Sequence, residues 1–152
     1  MAKDVIIACD FSSKEETLEF LSKFGETKPF VKIGMELFYA EGPEIVKTIK
    51  DMGHRIFLDL KLHDIPNTVG SAIRVLDRLG VDMCNVHVAG ARRMMKAAAD
   101  STSGLVIGVT QLTSTSQEVM EQEILIDKPL QDVVIEYAKN AKASGLGGVV
   151  FS

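Results

Sequence analysis

Residues 57 to 68 read Phe57-Leu58-Asp59-Leu60-Lys61-Leu62-His63-Asp64-Ile65-Pro66-Asn67-Thr68. Successive side chains of a β-strand point to opposite faces, so Leu58, Leu60 and Leu62 share one face while Asp59, Lys61 and His63 share the other. A single strand thus presents an apolar side and a charged side.

The same polarity recurs along the chain. Apolar, β-rich runs at 5–10, 30–34, 55–62, 83–89, 105–112 and 148–151 alternate with segments at 13–24, 43–52, 68–79, 92–99 and 130–143. Those segments are rich in helix formers and carry apolar residues three and four apart. Ser12 and Ser13 before Glu15 and Glu16 mark a helix start, and Gly53, Gly80 and Gly145 follow helix-like runs where a left-handed cap is wanted. Such alternation implies right-handed crossovers and a parallel sheet packed against helices, either doubly wound or closed as a TIM (β/α)8-type barrel.

The polar residues decide between the two. Asp10 ends the first run, Lys32 lies late in the second, Asn85 and His87 late in the fourth, and Gln111 and Thr113 close the fifth. A doubly wound sheet concentrates its ligand groups at one switch point, whereas a barrel gathers them from many strand ends around one mouth. The expected fold is therefore α/β, a TIM-type barrel. A complete barrel takes about 250 residues, so residues 1–152 are expected to form one incomplete barrel domain of about six β/α units.

Seventeen Lys and Arg against 21 Asp and Glu give a formal charge of −4. No basic stripe is available for a phosphate backbone or anionic lipid, so neither nucleic acid nor membrane is an expected partner. A small anionic substrate still fits, because a pocket can be locally positive. No apolar run approaches the ~20 residues that span a bilayer, and the start lacks the basic and long apolar regions of a secretory signal, which makes the cytoplasm the expected location. Cys9 and Cys84 lie in apolar stretches with no CxxC or His-spaced partner and read as buried thiols.

Lys32, Asp59 and Lys61 could be a structural ion network. Burying several charges costs several kcal/mol each before pairing, however, and packed apolar residues would often serve stability as well or better. A cluster kept at a strand-end mouth is better explained by function. An ammonium held between carboxylates is a proton donor, and a fixed carboxylate beside it would repel an anionic group on a substrate. That pairing suits a reaction that expels the anionic group as carbon dioxide and protonates the carbanion left behind.

Other polar residues have structural readings of their own. Asp10 could cap the following turn, and Thr113-Ser114-Thr115-Ser116 is a serviceable helix start before Gln117 and Glu118. His63 and His87 read as hydrogen-bonded imidazoles, with no HxH or HExxH spacing, so no metal is assigned. Arg92-Arg93-Met94-Met95-Lys96 reads as a helix with its methionines inward and its charges in solvent.

Asp59-x-Lys61-x-x-Asp64 is the DxKxxD pattern of a suprafamily of barrel enzymes, and the longer string from Asp59 to Thr68 resembles the orotidine 5'-monophosphate decarboxylase family specifically. Ala8-Cys9-Asp10, Phe30-Val31-Lys32-Ile33-Gly34, Asn85-Val86-His87 and the stretch from Val109 to Ser114 fall in that family's order, and the likeness covers its N-terminal two-thirds.

The resemblance implies a cofactor-free carboxy-lyase that converts orotidine 5'-monophosphate to uridine 5'-monophosphate in de novo pyrimidine biosynthesis. Lys61 would be the proton donor, flanked by Lys32, Asp59 and Asp64. Asp10 and Lys32 would hold the ribose, and Thr113 and Ser114 would lie near base and phosphate. The resemblance further implies a homodimer in which Asp64, Ile65 and Thr68 reach into the partner's pocket. Segments that grip the phosphate in the family lie beyond residue 152, so low activity of the isolated chain is expected. Two rival readings stay open: a sugar-phosphate decarboxylase or synthase of the same suprafamily, and a non-catalytic truncated remnant.

Overall fold

Six of the apolar runs become strands, and each pairs in parallel with the next one in sequence. The computed structural model describes residues 5–151. The elements are β1 (Ile6–Cys9), α1 (Lys14–Ser22), β2 (Phe30–Gly34), α2 (Met35–Glu41), α3 (Glu44–Asp51), β3 (Ile56–Leu62), α4 (Pro66–Arg78), β4 (Met83–His87), α5 (Ala91–Ala99), β5 (Leu105–Val109), α6 (Gln117–Gln122), α7 (Leu130–Ala143) and β6 (Gly148–Val150). The sheet order β1-β2-β3-β4-β5-β6 contains no point at which the winding reverses. A doubly wound sheet needs that reversal and a barrel does not, so the arc is part of a TIM-type barrel.

The sheet has two unlike faces. Cys9, Val31, Ile33, Leu58, Val86 and Val106 point outward into a continuous core with helix residues such as Leu21, Leu37, Ile49, Ile73, Met94 and Met95. A smaller cluster of Phe30, Phe57 and Ile107, with Met83 against it, occupies the other face. By the two-residue period, Lys32, Asp59 and Asn85 lie one step further toward the strand C-termini on that inner face. Apolar packing near the strand starts thus supports a polar layer near their ends.

Local signals explain the boundaries. Ser13 caps α1, its Oγ accepting from the Glu16 N–H at 3.3 Å. Gly53, Gly80 and Gly145 have φ of 89°, 78° and 84°, the left-handed conformation expected of them after α3, α4 and α7. In α5, Met94 and Met95 are buried while Arg92, Arg93 and Lys96 are exposed, as the pattern predicts. No helix among the described residues is long and apolar enough to cross a membrane.

Three expectations are corrected. A helix not foreseen, α2, follows β2 directly; Leu37 is its one buried residue, and Met35 and Tyr39 lie exposed beside it, so no apolar stripe announces it. β4 stops at His87 instead of 89, because Val88–Gly90 tighten into a 3-10 turn. β5 stops at Val109 instead of 112, although the Thr110 N–H and hydroxyl both still donate to the Val150 carbonyl at 3.1 Å. The face pattern of β3 holds, with Leu58 in the core, Leu60 and Leu62 packed against it, and Asp59 and Lys61 on the other side. Its register against β4 slips, since Leu58 pairs with Cys84 but Leu62 with Val86, so four residue steps of β3 face two of β4, a bulge at which Lys61 takes φ 51°.

Candidate active site

The bulge in β3 lies at the charged end of the sheet. Asp59 is at its centre, with a side chain only 14% exposed. Its Oδ1 accepts from Lys61 Nζ at 2.6 Å and from Asn85 Nδ2 at 2.7 Å, and its Oδ2 lies 3.6 Å from Lys32 Nζ. Lys32 Nζ in turn donates to Asp10 Oδ1 at 2.8 Å. Four side chains, one just past the end of β1, one on β2 and two on β3, therefore form one chain of alternating charge, Asp10–Lys32–Asp59–Lys61. Parallel register makes this possible by setting Ala8 beside Lys32 and Gly34 beside Asp59.

Burial alone would raise the Asp59 carboxyl's pKa. Hydrogen bonds from Lys61 and Asn85, together with the charges of Lys61 and Lys32, outweigh it and hold the group below the usual carboxylate range. The site thus keeps a fixed anion 2.6 Å from an ammonium. Beside it opens a cavity of about 240 Å³ lined by Asp10, Lys32, Gly34, Asp59 and Lys61, with Phe11 and Leu37 among its apolar walls. A Cβ at Gly34 would stand 3.4 Å from Asp10 Oδ1 and 3.6 Å from Lys32 Nζ, so a longer side chain would intrude on the ion pair.

The remaining residues of interest fall differently. Asp64 is exposed in the turn into α4, its Oδ1 accepting from the Ile65 N–H at 2.6 Å, and it does not join the charge chain. Ile65, which precedes Pro66 at the first turn of α4, is 66% exposed, and Thr68 is also exposed. Thr113 and Ser114 lie exposed in the turn after β5, and the cap of α6 is Ser116, whose Oγ accepts from the Val119 N–H at 3.1 Å. Asp10 is drawn to Lys32, while Ser13 caps α1.

The two imidazoles next to the site face each other, with His63 and His87 ring centroids 5.6 Å apart. Burial, then His63 and Lys61, lower the pKa of His87. No cluster of three or more His, Cys, Asp or Glu side chains suited to a metal occurs among the described residues. Both thiols are buried and pushed up, Cys9 to about 11 and Cys84 to about 12, chiefly by desolvation.

A model of the orotidine 5'-phosphate decarboxylase / HUMPS family matches residues 3–152. The chain belongs to the orotidine 5'-phosphate decarboxylase / HUMPS family. Orotidine 5'-phosphate decarboxylase of Bacillus cytotoxicus is 53% identical over 161 residues, covering 100% of this chain and 68% of the relative. The enzyme of that name from Streptococcus suis is 56% identical over 150 residues, covering 97% of this chain and 65% of its own length. The crystal structure of orotidine 5'-phosphate decarboxylase from Lactobacillus acidophilus superposes with a TM-score of 0.94 at 40% identity, over 99% of this chain and 72% of that one. From the sequence alone, no contact of Asn85 with the charged cluster is legible; it joins the cluster through Asp59 and Lys61. Its importance depends on the slip of β3 against β4, which linear spacing does not display.

Proposed function

We propose that this chain decarboxylates orotidine 5'-monophosphate to uridine 5'-monophosphate, a step of pyrimidine biosynthesis, with Lys61 as the proton donor. The observation that carries the reading is the Asp10–Lys32–Asp59–Lys61 charge chain at the edge of a cavity. Asp59, fixed and ionised, would repel the substrate carboxylate. Departure of that group as carbon dioxide relieves the repulsion and leaves a pyrimidine carbanion, which Lys61 Nζ stabilises as its charge develops and then protonates. Only interactions stronger in the transition state than with bound substrate raise the rate, and this pair has that character.

Asp10 and Lys32 would hold the ribose hydroxyls, and Thr113 and Ser114 would border base and phosphate from the rim beyond β5. Asp64, Ile65 and Thr68, exposed on their own protomer, would complete the site of a second copy in a homodimer. Free buried thiols fit a reducing compartment, in keeping with a cytoplasmic location.

The test follows loss of orotate absorbance by the purified protein, with and without EDTA. Turnover unaffected by chelator is expected, and Lys61→Ala should abolish it with the fold retained by circular dichroism. Chelator-sensitive turnover of a sugar phosphate instead would favour the sugar-phosphate relatives, and no turnover by a folded dimer would favour a remnant. Retained activity in Lys61→Ala would sink the assignment of the proton donor.

A further inference from the structure

Asn85 is 2% exposed, and it makes two hydrogen bonds that converge on the proposed reacting pair. Its Oδ1 accepts from the backbone N–H of Lys61 at 2.7 Å, and its Nδ2 donates to Asp59 Oδ1 at 2.7 Å. The first of these ties a β4 side chain to the bulge in β3. Where β3 bulges against β4, the Lys61 amide is turned out of register, and a β4 side chain receives it. Lys61 there holds φ 51°, a conformation a lysine adopts only when its surroundings over-determine it. The second bond fixes the carboxylate oxygen that also receives Lys61 Nζ.

We infer that Asn85 is a positioning residue for decarboxylation: one amide sets both the left-handed backbone of Lys61 and the orientation of Asp59. The inference rests on the role proposed for Lys61. Asn85 does not line the cavity, and its action is through its two neighbours, Lys61 and Asp59. The geometry accounts for an amide in particular. Its carbonyl oxygen and NH2 group answer a donor and an acceptor on opposite sides of one buried side chain. Leucine in its place would leave the Lys61 N–H without this acceptor and Asp59 with one donor fewer, and aspartate would supply the acceptor but set a second carboxyl against Asp59.

A buried asparagine can also serve stability alone, by tying β4 to β3. The two roles differ in what they move. A structural tie changes the folded fraction and leaves the titration of Asp59 as it is; a positioning amide changes that titration in the folded protein. The groups that face Asp59 are Lys61 from its own strand, Lys32 from β2, itself bound to Asp10 of the β1 end, and Asn85 from β4. His63 and His87 stand beyond Lys61.

The experiment compares the parent chain with Asn85→Ala and Asn85→Asp. The Asp59 carboxyl carbon, followed by 13C NMR, should titrate at higher pH in Asn85→Ala than in the parent, and higher again in Asn85→Asp. In turnover, Asn85→Ala should lose about 10- to 100-fold in kcat with little change in KM, the size of one charge-assisted hydrogen bond expressed in the transition state. A folded Asn85→Ala whose Asp59 titrates as in the parent overturns the inference, as does a kcat that falls only with the folded fraction. If neither variant folds, Asn85→Ser, which keeps a hydroxyl in less volume, takes their place in the same titration, and an Asp59 that titrates there as in the parent overturns the inference. A parent chain that shows the Asp59 shift yet turns nothing over counts against the decarboxylase reading and not against the hold of Asn85 on its neighbours.

Discussion

His87 and Asp59 store pH dependence in two separate windows. Burial, then His63 and Lys61, lower the folded-state pKa of His87 from its ordinary 6.5, so below that pH the unfolded chain binds the proton more readily than the native one. The stability this group contributes is complete above pH 6.5 and is lost as the pH falls toward the lowered value. The urea midpoint of the parent should therefore decline between pH 8 and pH 5, and His87→Asn should decline less; an identical decline in both would refute the assignment. Asp59, also lowered, works in the same sense further into acid, its contribution being present above 3.8 and lost below as the folded carboxylate protonates. At this scale the charged residues were legible because DxKxxD puts Asp59 and Lys61 two apart on a strand. Asp64 was legible as a motif position, yet in a single chain it turns back on the Ile65 amide. Asn85 could be read as a late polar residue of its strand and nothing more, since its two bonds exist only once β4 is laid against the bulge.

The strands themselves place a demand that no periodicity reveals. Gly108 of β5 faces the 3-10 turn after β4 and the segment entering β6: a Cβ built on it would lie 2.7 Å from Val88 Cγ2 and 3.1 Å from Leu146 Cδ1. Both neighbours are buried, and valine has little rotamer freedom with which to yield. Gly108→Ala should overpack this junction at a cost of about 1–3 kcal/mol. For a chain of this size each kcal/mol lowers Tm by about 2–4 °C, so calorimetry should show a loss of several degrees. An unchanged Tm would mean that β5 and β6 part more easily than their packing suggests. Element positions were legible where the chain carries a physical stop, such as the left-handed glycines after α3, α4 and α7. They were not legible where tertiary contact decides: α2 has one buried anchor, and β4 and β5 end where the chain turns over the sheet rim.

For the whole molecule, the alternation of strands and helices was enough to predict a parallel sheet, and polar residues at several strand ends were enough to choose barrel winding over a doubly wound sheet. What single-chain logic leaves open is the rim itself, where Asp64, Ile65 and Thr68 stand exposed shortly after Lys61, which lines the cavity. If these residues complete a neighbour's site, each pocket combines Lys61 of one protomer with Asp64 of the other, and a two-fold axis makes both pockets alike. Two inactive variants should then rescue one another. In a hybrid of Lys61→Ala with Asp64→Asn, one pocket carries both lesions and the other carries neither. An equal mixture, unfolded and reassembled together, should regain about one quarter of parental turnover, because half the dimers are hybrids with one intact site each. The variants reassembled separately and then assayed together should stay inactive, which removes simple contamination as the source. Sedimentation of the parent should show the dimer at micromolar concentration. A co-assembled mixture no more active than its parts, formed from material that sediments as a dimer, would place Asp64 outside the partner's pocket and leave the charge chain from Asp10 to Lys61 to act within one protomer.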